Sequence, residues 1–285
     1  MFVYLVRRLL MLIPVVLGVL TLTFFMRALI PGDPIMIMFQ GEIPPSPELV
    51  ADLRRELGLD APLPVQYVNY VAGVLQGDLG VSVRTRRPVT TEIFERYPNT
   101  VILTVASLLI ATVVGLTTGI LAAIYKGTPI DTITMFLAMF GLSMPAFWFG
   151  LLMIQFFGVN LRWFPVMGSG SWLHLVLPAM TLGVIASTIQ ARVVRSSMLE
   201  VLNSDYVRTA RAKGLHNRLV ILRHALKNAL IPTVTVLGLQ VGGLLGGAFI
   251  IETVFAWRGI GEMAVNAISQ RDFPLVQGVI VVVAV

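Results

Sequence analysis

ARVVRSSMLEVLNSDYVRTARAKGLHNRLVILRHALKN, residues 191–228, is the one long polar run between apolar segments that carries concentrated charge. Arg192, Arg195, Arg208, Arg211, Lys213, Arg218, Arg223 and Lys227 meet only Glu200 and Asp205 there, and the thirteen bases and thirteen acids of the remaining chain cancel. The net charge of +6 is therefore the charge of this loop. A basic run suits nucleic acid, anionic lipid or the cytosolic side of a membrane protein. Context decides, because apolar runs of membrane-spanning length flank it and cytoplasmic loops are the ones enriched in Lys and Arg. The loop reads as a docking element for a cytosolic partner. Tyr206 is its single aromatic, so it lacks the interleaved rings that stack on single-stranded RNA, and no nucleic-acid partner is expected.

Composition sets the frame around the loop. Of 285 residues, 56% are hydrophobic and 13% charged, with a mean hydropathy of +0.84; soluble chains carry about a quarter charged residues. The fold class expected is all-α, a polytopic membrane helix bundle of about six transmembrane helices. Zero cysteines exclude disulfides and thiolate chemistry. His174, His216 and His224 are scattered, so neither a metal site nor a catalytic residue is expected.

Leu9 to Met26 is uncharged and follows Arg7 and Arg8. It exceeds the roughly 7–15 apolar residues of a secretory signal and no small-x-small cleavage site closes it, so residues 1–30 read as a retained first helix. Further spans are expected at 100–125, 133–157, 172–190 and 229–251. The second contains Gly115-x-x-x-Gly119, the third has Pro145 in its middle and the fourth contains Pro178. Residues 275–285 begin a sixth span but fall short of the ~20 residues a crossing needs. Lys and Arg in the short connections place the amino terminus, the 126–132 turn and the 191–228 loop inside. Residues 158–171 and 252–274 then lie outside.

Residues 31–98 are assigned to the outer face as a small helical segment. Pro31-Gly32-Asp33-Pro34 is expected to stop the first helix. Ser46 as N-cap and Pro47 at the first helical position predict a short amphipathic helix ending at Gly58. A second helix is expected from about Pro64 to Gln76, broken by Gly77-Asp78-Leu79-Gly80. Gly77, Asp78 and Gly80, together with Glu252 and Trp257 after the fifth span, form the candidate outer docking face.

Within the fifth span Gly238, Gly242 and Gly246 recur at four-residue spacing beside a second row, Gly243 and Gly247. In lipid, small residues permit the close backbone approach that holds helices together. Tight packing on more than one side is the expectation, equally as static packing or as an interface that slides. Gln240 lies mid-span and should face the bundle interior or a water-filled path. Interhelical hydrogen bonding is its plainer role; with Pro145 and the glycines it makes up the candidate translocation path. Spans two to five hold no buried Asp, Glu, Lys or Arg, which argues against an ion-driven carrier.

Inside the loop, Glu200 to Lys213 has no Gly or Pro, and Leu199, Leu202, Tyr206 and Ala210 fall on one helical stripe. Gly214 is placed as a C-cap glycine, with Arg211 and Lys213 in the last turn. The run Asp205-Tyr206-Val207-Arg208-Thr209-Ala210-Arg211-Ala212-Lys213-Gly214-Leu215, followed by Arg223-His224-Ala225-Leu226-Lys227-Asn228, resembles the coupling loop of ABC-importer permeases. The likeness is to the first permease subunit of the dipeptide/oligopeptide branch, which also takes in glutathione and nickel importers. It extends to Leu57-Gly58-Leu59-Asp60, Gly77-Asp78-Leu79-Gly80-Val81-Ser82, Glu252-Thr253-Val254-Phe255 and Gly259-Ile260-Gly261. The wider family motif has a glutamate where this chain has Arg208, and a final proline that is missing here.

The resemblance implies a second homologous permease, two cytosolic ABC ATPases that bind ATP and Mg, and an external substrate-binding protein, in a bacterial or archaeal cytoplasmic membrane. It also implies that Asp205, Tyr206, Arg208, Ala210, Arg211, Lys213, Gly214 and Leu215 meet the ATPase, and that the sixth span is complete in the family, making Val285 the end of a fragment. This chain has no Gly-x-x-x-x-Gly-Lys-Ser/Thr phosphate loop. It is expected to bind no cofactor and to borrow its motor. The rival classes are an ion-driven secondary carrier and a non-transporting scaffold.

Overall fold

The computed structural model describes residues 2–28, 35–36, 45–56 and 58–284. The expected stop at Pro31–Pro34 lies outside them. Among the described residues, the segments long and apolar enough to cross a membrane are Val6–Met26 of α1 (Phe2–Ala28), α4 (Val89–Ile124), α7 (Leu173–Leu202) and Asn217–Gly246, which enters α9 (Leu226–Val254). A bent pair, α5 (Pro129–Ser143) and α6 (Ala146–Met153, carried to Asn160 by a π-helical stretch), makes a fifth. A shorter apolar helix, α11 (Phe273–Ala284), follows. Helices are what such sequences must form in hydrocarbon, where every backbone N–H and C=O needs an internal partner. The helical bundle expected from the apolar runs is what the chain forms.

The third span departs from expectation. It is two helices meeting at 104°, not one kinked rod. Pro145 lacks an N–H and forces the residue before it out of the helical region. Met144 accordingly sits at φ −81°, ψ 130°, and α6 restarts from Pro145 as its cap.

Two compact units divide the chain, Met1–Pro98 with Met263–Val285, and Asn99–Glu262. In the first, α2 (Pro47–Glu56) starts where expected, with Ser46 Oγ accepting from Leu49 N at 3.2 Å and Gly58 at φ +62° beyond its end. Then α3 (Leu63–Leu75) lies along α1: Tyr67 and Tyr70 pair their hydroxyls with Thr21 and Thr23 at 2.8 and 3.1 Å. Phe24 is buried beside both rings. On the α11 side, Gln277 Nε2 donates to the Thr23 carbonyl at 2.8 Å. Asp272, between α10 (Ile260–Ser269) and α11, is buried and accepts from Ser82 Oγ at 2.5 Å and from the backbone N–H groups of Val83 and Arg84.

In the second unit α7 is the central helix. Gly115 and Gly119 of α4 lie against it so closely that a Cβ on either would meet Gln190 at 2.6 Å or Ala191 O and Val194 at 2.7 Å. Gly183 of α7 answers against Ile110. The Gly-x-x-x-Gly of the second span thus does what small-residue pairs do in lipid. One apolar core gathers Leu103, Met153, Leu177, Ala248, Ile251, Phe255 and Trp257; another gathers Ala123, Val194, Met198, Val207, Ala210, Val220 and Ala225.

Candidate functional site

The 191–228 loop is built from the end of α7 and a separate helix, α8 (Asp205–Ala212). This corrects the single helix expected over Glu200–Lys213. Asn203 and Ser204 break it, because short polar side chains bond neighbouring backbone in competition with the helix. Asn203 Nδ2 donates to Leu199 O at 2.9 Å and Ser204 Oγ to Val201 O at 2.6 Å. Ser204 turns extended, ψ 152°, and α8 starts in a new direction. Leu199 and Leu202 therefore stay on α7, while Tyr206 and Ala210 belong to α8.

The eight residues of α8 divide cleanly. Val207 and Ala210 point into the chain's own core with Met198, Val220 and Ala225, and Leu215 packs half-buried on the same cluster. Ala210 is thus an anchor under the surface and not part of it. Asp205, Tyr206, Arg208, Arg211, Lys213 and Gly214 are exposed. Tyr206 is held by Asn228, whose Nδ2 donates to its hydroxyl at 2.8 Å. Arg208 and Asp205 form a surface pair at 3.4 Å, of the kind worth less than about 1 kcal/mol. Gly214 has φ +75°, a conformation glycine adopts without steric cost. His216 then starts a short turn that winds through a π-helical segment, Val220–Ala225, into α9. A shallow, cationic, firmly backed knob results.

The glycine rows of α9 face away from the chain's other described helices. Among the described residues, Gly238, Gly242, Gly243 and Gly246 have nothing within 4 Å of where a Cβ would stand, and Leu239 and Val234 beside them are exposed. Gln240 bonds across helices: its Nε2 donates to Ala186 O at 2.9 Å, and its Oε1 accepts from Gln190 Nε2 at 2.5 Å. Gln190 is fully buried, and its own Oε1 finds no hydrogen bond among the described residues.

Two residues assigned to the outer docking face are interior. Glu252 is fully buried; it accepts from Thr100 Oγ1 at 2.7 Å and from the N–H groups of Gly261 and Glu262 at 2.7 and 3.0 Å. Burial pushes its carboxyl up, while those donors pull the other way. Trp257 is 5% exposed and donates Nε1–H to Asn99 O at 3.0 Å. Both organise the α9–α10 turn, since an acid at a helix start finds free N–H donors. In the other unit Gly77 and Gly80 take φ +82° and +86°, and exposed Asp78 accepts from Gly80 N at 2.9 Å. Among the described residues no group of three His, Cys, Asp or Glu could hold a metal.

Several organising residues were not read from the sequence. Asp131 and Arg195 pair across 64 positions, and Asn228 meets Tyr206 across 22. Nothing local marks such partners; a charged residue just inside an otherwise apolar helix is the only signal Asp131 gives.

The sequence matches the family described as binding-protein-dependent transport system inner membrane component over residues 115–285, and the N-terminal region of such membrane components over residues 1–104. It is 45% identical to the glutathione transport system permease GsiC of Salmonella choleraesuis, over 96% of this chain and 89% of that protein. Identity is 45% to the di/tripeptide permease DppB of Pseudomonas aeruginosa and 43% to the dipeptide permease DppB of Escherichia coli K12, each over 99% of this chain and 92% of the relative. A solved structure of the methionine ABC transporter MetNI, inward facing, shares the fold with TM-score 0.53 at 21% identity, over 67% of this chain and 89% of that one.

Proposed function

The chain belongs to the family of binding-protein-dependent transport system inner membrane components, and from that premise we propose that it is the permease subunit through which an ABC importer moves di- and oligopeptides across the cytoplasmic membrane. It makes and breaks no covalent bonds. A second, homologous permease completes the path, two cytosolic ATPases supply the work, and an external binding protein delivers the substrate. Glutathione, a small peptide itself, is the second reading, favoured by the 45% identity to GsiC.

The observation that carries the reading is the knob. Tyr206, Arg208 and Arg211 stand exposed on a helix, with Lys213 and Gly214 exposed just past its end, and the helix's other face, Val207 and Ala210, is locked into the core shared with α7 and the start of α9. A push on α8 is therefore a push on two membrane helices. The cationic face supplies electrostatic register toward an acidic groove. Sidedness rests on the Lys and Arg excess of Arg7, Arg8, Lys126 and the loop, and the Asp131–Arg195 pair supports it by tying the 126–132 turn to the loop's helix.

Because this sequence has no cysteine, Gly214→Cys places one cysteine on it, from which cross-linking in the assembled complex can be followed. A cross-link to the ATPase subunit is the expected product. Modification of that cysteine from the external side of intact cells, or cross-linking to a ribosomal component instead, would overturn the assignment.

A further inference from the structure

Helix α3 falls in the segment expected on the outer face, and its composition does not suit open water. Leu63–Leu75 reads LPVQYVNYVAGVL, without one charged side chain, between Asp60 and Asp78. None of its residues is buried among the described residues. Val65, Val68 and Leu75 are 47%, 62% and 77% exposed. With Ala72 they recur at steps of three and four, so they share one side of the helix. Tyr67 and Tyr70 occupy the other, against α1.

An uncharged helix of this length has few possible settings: a buried core, a signal segment, or an interfacial or re-entrant position in a bilayer. Burial is absent and the helix is internal to the chain, which leaves the bilayer. At 1.5 Å per residue it spans about 20 Å, short of the ~30 Å core. Acids at both ends return both ends to water.

Depth follows from the tyrosines. Thr21 and Thr23, their partners, lie five and three residues inside the Met26 end of the Val6–Met26 span. That is about 5–8 Å below the end of the span along the helix, the depth at which interfacial helices bury their apolar face, about 5–10 Å. We propose that α3 is an interfacial membrane helix, its Val65, Val68, Ala72 and Leu75 side lying against lipid acyl chains while Tyr67 and Tyr70 fasten it to the first span. Tyrosine is the side chain enriched at that level of the bilayer.

The test uses Val68→Cys and, independently, Leu75→Cys in the full chain with its co-purifying subunits, reconstituted in phosphatidylcholine vesicles, with Asp78→Cys as the aqueous control. Bimane at residues 68 and 75 is expected to lose fluorescence when the lipid carries a nitroxide on its acyl chain, and bimane at 78 to keep it. The unlabelled cysteines at 68 and 75 should resist a membrane-impermeant maleimide that modifies the one at 78. Modification at 68 and 75 would place the face in water and overturn the proposal. Protection without lipid quenching would also overturn it, by showing that a protein subunit covers the face. Two sites guard against one substitution disturbing the fold, and neither readout depends on what the complex transports.

Discussion

Arg195 holds Asp131 with two parallel bonds, Nε to Oδ1 at 2.7 Å and Nη2 to Oδ2 at 2.8 Å, and Gly127 N adds a third at 3.0 Å to Oδ2. The carboxylate side chain is 9% exposed and the guanidinium 28%. The pair pins the start of α5, which ends at the Pro145 break, to α7, eight residues before the Asn203–Ser204 break. Hydrogen bonds to charged groups contribute about 1.5–3 kcal/mol, and partial exposure puts this pair toward the low end. Asp131→Asn should therefore destabilise the purified protein by about 2 kcal/mol. Arg195→Lys keeps the charge, loses the fork and should cost about half as much. Thermal unfolding in detergent checks both; unchanged midpoints would show the clamp to be idle.

Gly259 and Gly261 stand where no side chain fits. A Cβ at 259 would fall on the Glu252 carboxylate, and one at 261 would meet Phe249 and, at 2.9 Å, Glu252 Oε2. Forcing extra atoms into packed interiors typically costs about 1–3 kcal/mol. Gly259→Ala should lower stability by at least that much, since it displaces a buried carboxylate from three donors. Gly242→Ala, in open space, should leave the isolated subunit as stable as before or slightly more so, because alanine is the better helix former by about 1 kcal/mol. Comparing the two unfolding midpoints separates glycines that serve this chain from those facing outward.

These contrasts show what the sequence could and could not tell. Apolar run length made the helical membrane fold class legible because the lipid interior leaves the backbone no alternative. Pro145 was legible as a disruption; its 104° outcome was not, since neighbouring helices decide whether a proline kinks or breaks a span. Glycine spacing looked alike in the second and fifth spans, yet Gly115 and Gly119 touch α7, while Gly238 and Gly242 meet no neighbouring element among the described residues. Spacing reports permission for close approach, and only the fold names the neighbour. Glu252 and Trp257 looked exposed because polar or amphipathic residues after a span usually are. Their burial depends on Thr100 and Asn99, about 150 positions away.

Gln190 and Gln240 bond side chain to side chain between α7 and α9. Such pairs in membranes average about 0.6 kcal/mol, with a maximum near 1.7. A double-mutant cycle with Gln190→Leu and Gln240→Leu should return a coupling in that range. Gln190→Leu alone should be the milder change, because it also removes the buried Oε1 that has no partner. A cycle that closes at zero would reassign Gln240 from helix packing to the path.

Arg211 lies exposed in the last turn of α8, where a cation complements the helix dipole by about 0.3–1 kcal/mol. Arg211→Glu inverts that term and the charge that would face the proposed ATPase partner. Assembly of the complex should weaken, and the loss should shrink as salt rises, since charges farther apart than about 8 Å are screened at 0.15 M. Co-purification yields across a salt series check this. A yield indifferent to both the charge and the salt would remove Arg211 from the interface.

Gly214 differs from the packed glycines in its reason for being glycine. Among the described residues nothing lies within 4 Å of a Cβ there, so space is ample, and its φ of +75° is the constraint. A residue with a side chain pays about 1–2 kcal/mol in that region, more when β-branched, which corresponds to a shift of roughly 5–30-fold in the population holding the turn. Gly214→Val should accordingly leave membrane insertion intact, because Val207 and Ala210 still anchor α8. It should displace Arg211 and Lys213 from their register and lower substrate uptake per ATP hydrolysed. Uptake and ATPase activity measured together in proteoliposomes test the separation. Gly214→Asn, which tolerates positive φ better than valine does, should recover part of the loss; equal defects in the two variants would mean that the turn's backbone angle is not what couples α8 to the motor.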